Sequence, residues 1–590
     1  MKVETRRSIT DLNVMVAGQG GDGSLTVVKL LGILLARRGL HMYIARNIPS
    51  RTRGGHAAAL LRGSIVPRQC VGDRIDLLVA FDGEAIEKAG ERVSPEGVVL
   101  NDTSAGPAPG ACLPDSATVI AIPFARLAVR DHRRDLFKNS LVFGVLTRIL
   151  GVDDDEARDV LRELFLRLPA EAIEANARVL EAGFALADDH DLAAGAGPWL
   201  LDRVEREDRI LISGNEAIGL GFLAAGGRFY AGYPITPATE ILSFLASHLP
   251  RFGGVAIQAE DELAAINMAI GAALTGTRAM TASSGPGISL MQEGVSQAGS
   301  AEIPLVIVDC QRAGPSTGMP TKPEQSDLNM LVHGGNGDFP RIVLAPGDPP
   351  DCFQLAVTAV NLSQQLQGPV YIALDQAVAQ DSCTVEPFDM GSVAVTEGRR
   401  LSPAEVAARP EYRRYLVTDD GISPWALPGT PGGMSLVTGN ERNDWGHVSS
   451  DPRNRAIMVD KRMRKVECFH DDLPAGRQWG DRDAVVGLIG IGMELGVMQE
   501  ASERLADAGL AVSCLQPRTL WPVPGETIEF VRRRERIYVV EHNAEGQLAH
   551  LLASVGAPHD RLRGILRYDG LPFLPSELAD RVIRAEEARS

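Results

Sequence analysis

Three carboxylates, Glu260, Asp261 and Glu262, stand at the head of a segment, LAAINMAIGAALTG, that is otherwise almost wholly apolar. Acids suit the first turn of a helix, where the peptide dipole is positive. An acid at the mouth of so apolar an element is also drawn partly out of water. There it can share a proton with a neighbouring base rather than stand as a hydrated anion. Further polar residues fall where apolar runs end. Thr236 lies in GYPITPATE, held between Pro234 and Pro237, which restrict the backbone around it. Ser283 and Ser284 close RAMTASS ahead of GPG, and Arg312 follows IPLVIVDCQ. A guanidinium fork matches a planar carboxylate through two parallel hydrogen bonds, and a hydroxyl adds a further donor.

A second constellation stands near the N-terminus. Gly18, Gly20 and Gly23, with Gly21 between them, satisfy GxGxxG directly after the apolar run LNVMVA. Amides in such a turn face an anion, aided by the dipole of the following helix. No acid stands at the end of the next strand to hold ribose hydroxyls. Arg46, Arg51 and Arg53 stand there instead, which favours a ligand with several phosphates, such as coenzyme A or NADP. Gly21-Asp22-Gly23 followed by Asn47 imitates the GDG…N pattern of a magnesium–diphosphate site. The spacing is short and cations surround the asparagine, so no metal site is expected here.

These residues need strands and helices to position them. In the first part, strands are expected at LNVMVAG, RIDLLVAFDG, GVVLNDTSA and ATVIAIPF, and helices at NSLVFGVLTRILG, DDEARDVLRELFLR and PAEAIEANARVLEAGFALA. Residues 191–208 read as a linker. From 209 to 382 strands and helices alternate, and four strand ends deliver Thr236, Glu260 or Glu262, Ser283-Ser284 and Arg312 to one rim. Open parallel sheets place ligands at that edge. Residues 383–482, rich in proline, glycine and charge, read as an extended covering arm with one charged helix in DPRNRAIMVDKRMRKVECFHDDLP. From 483 to 590 the βαβ pattern resumes, with Asn543 and Gln547 at a strand end and first helical turn. The GIG turn at 490–492 is expected to serve packing more than anion binding. The fold class is multidomain α/β.

With 590 residues the chain exceeds a single core. Its net charge of -17 disfavours nonspecific nucleic-acid binding, and no apolar run approaches the ~20 residues needed to span a bilayer. The charged first residues do not suit a signal peptide, so the cytoplasm is expected. The seven cysteines form no CxxC pair and no local iron–sulfur run.

GYPITPATE, EDELAAINMAIGAA, SSGPGISLM, QRAGPSTGMPT and HGGNGDFPRIVLAP together resemble the α subunit of 2-oxoacid:ferredoxin oxidoreductases. GQGGDG and IPSRTRGG resemble the γ domain of those enzymes, fused in front, and RTLWPVP…VVEHNAEGQL their transketolase C-terminal-like domain. Relatives often carry Gln where Asp22 stands. The resemblance implies a Rossmann-like γ domain over 1–190, a thiamine-enzyme pyrimidine-binding domain over 209–382 and the C-terminal domain over 483–590. It implies thiamine diphosphate as cofactor, with Glu262 on its aminopyrimidine ring and Tyr233, Pro234, Ile235, Ser284 and Gly285 around it. Arg312, Thr236 and Thr321 are then expected at the 2-oxoacid, and the glycine loop with Arg51 and Arg53 at coenzyme A. No diphosphate-metal signature and no cluster cysteines are read in this chain. A β partner is therefore expected to bring Mg2+ and a [4Fe-4S] cluster, in an (αβ)2 heterotetramer serving ferredoxin. The favoured substrate is 2-oxoglutarate, with pyruvate or a broad range of 2-oxoacids as the alternative. An NADP-dependent oxidoreductase and a non-catalytic scaffold are the rivals from other classes.

Overall fold

The computed structural model describes residues 7–8, 10–47, 55–107, 112–132, 134–190, 192, 199–200, 204–205, 208–470 and 472–589. Arg51 and Arg53, expected at an anion, lie outside the described residues. The chain divides into two compact units, 1–211 with 381–387, and 212–380 with 388–590.

The first unit is built on β1 (Asp11–Gln19), α1 (Ser24–Arg37), β2 (His41–Asn47), β3 (His56–Ser64), β4 (Ile75–Ala80), β5 (Val93–Asp102) and β6 (Thr118–Ile122). Strand order from one edge is β6-β5-β4-β1-β3-β2, followed by the strand Ser382–Val385. β1, β4, β5 and β6 are mutually parallel, while β3 runs antiparallel to both β1 and β2. The glycine turn thus opens a strand–helix–strand unit whose two strands are separated by an inserted antiparallel one. The sequence reading did not include β3, whose HAAALLRGS has little alternation to mark it. Nor did it give the first unit Ser382–Val385, which pairs antiparallel with β2. Helices α2 (Lys138–Ile149), α3 (Asp154–Phe165) and α4 (Ala170–Asp189) fall close to their expected positions and join α1 in the core, with Leu31, Val145 and Leu180 among its members.

In the second unit the central sheet comprises β7 (Phe229–Gly232), β8 (Val255–Gln258), β9 (Ala279–Ser283), β10 (Leu305–Gln311), β11 (Ile342–Leu344) and β12 (Pro369–Asp375). Their order is β8-β7-β9-β10-β12-β11, all parallel. β10 and β12 are buried at every residue, as strands covered on both faces must be. The helices α5 (Thr239–His248), α6 (Glu262–Leu274) and α7 (Gly285–Ala301) follow β7, β8 and β9. Because the strands are parallel, the β7–α5, β8–α6 and β9–α7 turns and the end of β10 share one edge.

The arm 388–482 contains helix α8 (Pro452–Glu467). Its charged sequence suggests a solvated face, yet Lys461 and Lys465 are fully buried. Both bind Glu302, at 2.6 and 2.7 Å, and Arg414 donates to the Glu302 carbonyl at 2.6 Å. The remaining sheet has β13 (Arg477–Gly480), β14 (Val486–Gly490) and β15 (Val512–Gln516), then β17 (Arg536–Glu541) and β18 (Leu562–Leu566), in the order β13-β15-β14-β17-β18. β16 (Thr519–Trp521) instead joins β11 at the edge of the central sheet.

Candidate functional site

The three acids of the opening segment separate by role. Asp261 is the N-cap of α6, its carboxylate accepting from the Ala264 amide at 2.7 Å. Glu260 is exposed. Glu262, one position further, is only 7% exposed. Its Cγ and Oε1 both lie 2.7 Å from the point a Cβ on Gly287 would occupy, and the Ser283 hydroxyl lies closer still to that point. Gly287 is in the first turn of α7, so a missing side chain there makes the notch that receives the acid. The hydroxyls of Ser283 and Ser284 are buried and have no hydrogen-bond partner among the described residues. Ser284 precedes α7 without capping it. Buried polar atoms are rarely left so. Gly285 stands beside them, and the Asp327 carboxyl closes over it, with Oδ1 2.6 Å from the corresponding Cβ point.

Arg312 and Thr236 are brought together. Arg312 is buried, and its Nη1 donates to the Thr236 carbonyl at 2.6 Å, while its Nε has no partner among the described residues. Burial lowers the Arg312 pKa, and Asp327 works against that. Asp327 itself is pushed up to about 6, by burial and by Glu324, with Arg312 opposing. Thr321 lies in a hairpin closed by the Ala313 amide on the Lys322 carbonyl at 2.9 Å. Tyr233 is exposed, and Pro234, Ile235 and Thr236 are half-buried. On the elements around Glu262, the large apolar side chains of Tyr233, Leu263, Met268 and Leu290 are each 41–53% exposed.

Sequence reasoning missed Gly287 and Asp327. SSGPG could have pointed to Gly287; no pattern singles out Asp327. Asn543 and Gln547 brace this region from behind. Asn543 Nδ2 donates to the Gln325 carbonyl at 3.1 Å, and Gln547 Nε2 to that of Ser326 at 2.8 Å. The GIG turn is packed: a Cβ on Gly492 would strike the Asp375 carboxylate, which accepts from the Met493 amide at 2.7 Å.

In the first unit, the glycine turn is filled by its own acid. The Gly20 amide donates to the Gly55 carbonyl at 2.9 Å. The Asp22 carboxylate accepts from the Gln19 amide at 2.8 Å, lies over Gly18 and pairs with Lys138 at 2.8 Å. Gly23, in the left-handed region at φ 82°, precedes α1, and Asn139 occupies the space its Cβ would need. A recess of 1610 Å3 elsewhere in this unit is lined by seven acids and four bases and by none of these glycines, so it does not suit an anion.

Three segments of the chain match families of known proteins. Residues 13–186 match the family described as pyruvate ferredoxin/flavodoxin oxidoreductase. Residues 221–425 match pyruvate flavodoxin/ferredoxin oxidoreductase, thiamine diP-binding, and 481–580 the transketolase C-terminal domain. The 2-oxoacid:ferredoxin oxidoreductase subunit alpha of a Sulfolobus species is 31% identical over 97% of this chain and 96% of its own length. The 2-oxoglutarate oxidoreductase subunit KorA of Mycobacterium tuberculosis is 34% identical over 76% and 68% respectively. Among solved structures, 2-oxoglutarate:ferredoxin oxidoreductase from Magnetococcus marinus, with 2-oxoglutarate, coenzyme A and succinyl-CoA bound, superposes with a TM-score of 0.90. It is 34% identical and covers 98% of this chain and 99% of that one.

Proposed function

This chain belongs to the 2-oxoacid:ferredoxin oxidoreductases, as an alpha subunit with the gamma domain fused in front, and on that premise we propose that Glu262, Arg312 and Thr236 form its half of a thiamine diphosphate site. The reaction joins a 2-oxoacid and coenzyme A, giving acyl-CoA, carbon dioxide and reduced ferredoxin, or runs in reverse. The favoured substrate is 2-oxoglutarate, giving succinyl-CoA, because the Magnetococcus structure holds both molecules and the mycobacterial relative is named for that acid.

The residues present fit the cofactor. A sheltered carboxyl stands at a notch, and two buried hydroxyls beside it lack partners among the described residues. When bound, thiamine diphosphate supplies a thiazolium carbon that attacks the 2-oxoacid once its proton is gone. Glu262 is placed to hold a proton at the nitrogen of the aminopyrimidine ring, and its shelter from water strengthens that hydrogen bond. Ser284 and Gly285 line the same wall, and Tyr233, Pro234 and Ile235 form the turn opposite. Arg312 has spent Nη1 on the Thr236 carbonyl, which fixes the guanidinium plane and leaves its Nε–Nη2 edge for the substrate carboxylate. Thr321 borders this pocket.

A β partner is proposed to hold the diphosphate, Mg2+ and a [4Fe-4S] cluster, seated on the apolar face of Tyr233, Leu263, Met268 and Leu290 in an (αβ)2 assembly in the cytoplasm. Coenzyme A is assigned to the first unit. Its phosphates must compete there with the Asp22 carboxylate for the glycine turn. The observation that carries the reading is the buried Glu262 in the Gly287 notch, on the sheet edge that also delivers Arg312. The test is co-expression with a β chain, measuring ferredoxin reduction dependent on coenzyme A with 2-oxoglutarate and with pyruvate. Turnover favouring 2-oxoglutarate in the complex, and none from the lone chain, is expected. Turnover by the lone chain overturns the shared site, and preference for pyruvate overturns the substrate.

A further inference from the structure

Arg312, assigned to the substrate carboxylate, has a rival carboxylate within its own chain. Asp327 precedes the helix Leu328–His333, yet its side chain caps no backbone amide there. Acids in that position ordinarily accept one. The Asp327 carboxyl lies instead against Gly285, and its charge reaches Arg312. The two form no hydrogen bond or ion pair among the described residues, and Arg312 Nη1 goes to the Thr236 carbonyl.

The backbone around Asp327 shows what keeps them apart. Gln547, the buried first residue of the helix Gln547–Ser554, grips the chain with both ends of its carboxamide. Its Nε2 donates to the Ser326 carbonyl at 2.8 Å, and its Oε1 accepts from the Asn329 amide at 3.0 Å. A second glutamine fixes Asp327 itself, whose amide donates to Oε1 of Gln311 at 3.0 Å. Gln311 is buried at the end of β10, next to Arg312. One step before Ser326, the Gln325 amide donates to the His542 carbonyl at 2.7 Å. The turn is thus tied on both sides of Asp327 and at Asp327.

We propose that Gln547 and Gln311 are positioning residues that hold the Asp327 carboxyl off Arg312 and so keep the guanidinium for the carboxylate of the 2-oxoacid. The inference rests on the reading of Arg312 given above. A carboxylate of the chain and one of the substrate present the same planar pair of oxygens to the fork. A tethered rival acts at high effective concentration, so it wins unless its backbone is fixed elsewhere. Two carboxamides do this without adding charge, each meeting a backbone donor or acceptor with a matching group. The charged groups that face Asp327 are Arg312 and Asp309 at the end of β10 and Glu324 on its own segment. Of these three Arg312 alone favours the anion, so an Asp327 released towards it would ionise at lower pH.

The test uses the full complex with its β partner and the variants Gln547→Met and Gln311→Met, which keep the packing and lose the bonds. Each is expected to raise KM for the 2-oxoacid about tenfold at about pH 7.5, with kcat within about threefold and KM for coenzyme A unchanged. The pH at which KM climbs, about 6 in the native enzyme, should fall by about one unit. Adding Asp327→Asn to either variant should bring KM back to within about threefold of Asp327→Asn alone, which a general loosening of the site would not allow. Independently of turnover, the stability that Asp327 loses as pH rises from 3.8 to about 6 should shrink in melting curves of each purified variant chain. Unchanged KM, a raised KM that Asp327→Asn does not relieve, or an unmoved pH profile or melting slope overturns the proposal. If one variant does not fold, the other decides by the same outcomes. Arg312→Lys that leaves KM for the 2-oxoacid unchanged refutes the reading of Arg312. A raised KM there, alongside normal Gln547 and Gln311 variants, refutes only the role of the two glutamines.

Discussion

Gly287→Ala adds a single methyl group, and the structure says where it goes. The new Cβ would stand 2.7 Å from Cγ and Oε1 of Glu262 and nearer still to the Ser283 hydroxyl. Ordinary contact requires the acid to retreat by roughly 1 Å. The backbone of Gly287 lies within α7 without a positive φ, so alanine is conformationally admissible and gains about 1 kcal/mol of helix propensity. Overpacking in a tight site costs about 1–3 kcal/mol. The two nearly offset, and the melting temperature of the chain should move by only a few degrees. Activity should respond differently, because a displacement of about 1 Å at a catalytic group costs on the order of 100-fold. The assay is ferredoxin reduction by the reconstituted complex, alongside thermal melting of the purified chain. An enzyme that keeps near-native kcat with a methyl in the notch would refute the placement of Glu262.

Other expectations follow from the same geometry. Arg312→Lys replaces a planar fork with a point charge and loses the tie to the Thr236 carbonyl, so KM for the 2-oxoacid should rise about tenfold or more while kcat falls less. Asp327, which titrates at about 6, becomes an anion facing Arg312 as pH rises through that value. KM for the 2-oxoacid should therefore climb around pH 6 in the native enzyme and stay flat, at the low-pH value, in Asp327→Asn. The same residue binds more protons folded than unfolded between its ordinary 3.8 and about 6. Its contribution to stability hence falls as pH rises through that window, and Asp327→Asn should remove that slope from a pH series of melting curves. Glu302→Gln leaves Lys461 and Lys465 as buried cations without a counter-charge, so chemical denaturation should show a loss of about 3–5 kcal/mol in the second unit.

The edge that carries the site was legible because buried parallel strands read as unbroken apolar runs, and proline or glycine marks where each ends. VDCQ before Arg312, TASS before Gly285 and YAG before Tyr233 are of this kind. Pairing between distant segments was not. Ser382–Val385 joins the first unit by antiparallel pairing with β2, and Asp381 accepts from the Tyr43 hydroxyl across 338 positions of chain. Neither segment alone contains that information. Buried charge was equally opaque. KRMRK in α8 looks solvated until Glu302, at the far end of α7, is seen to receive two of its lysines. Asp309 sits in PLVIVDCQ as one acid in an apolar run, and nothing in that run discloses that it is fully buried and feels the charge of Asp327. At the glycine turn the pattern was read, but Asp22 takes the anion's place, which a GxGxxG match does not disclose.

The most direct test concerns the proton that Glu262 is held to govern. In the complex loaded with thiamine diphosphate, hydrogen–deuterium exchange at the thiazolium carbon can be followed by quenched-flow NMR for the native enzyme and for Glu262→Gln. Exchange slowed by at least ~100-fold in the variant, with the cofactor still bound, is the expected result. Exchange at the native rate would contradict the assignment of Glu262.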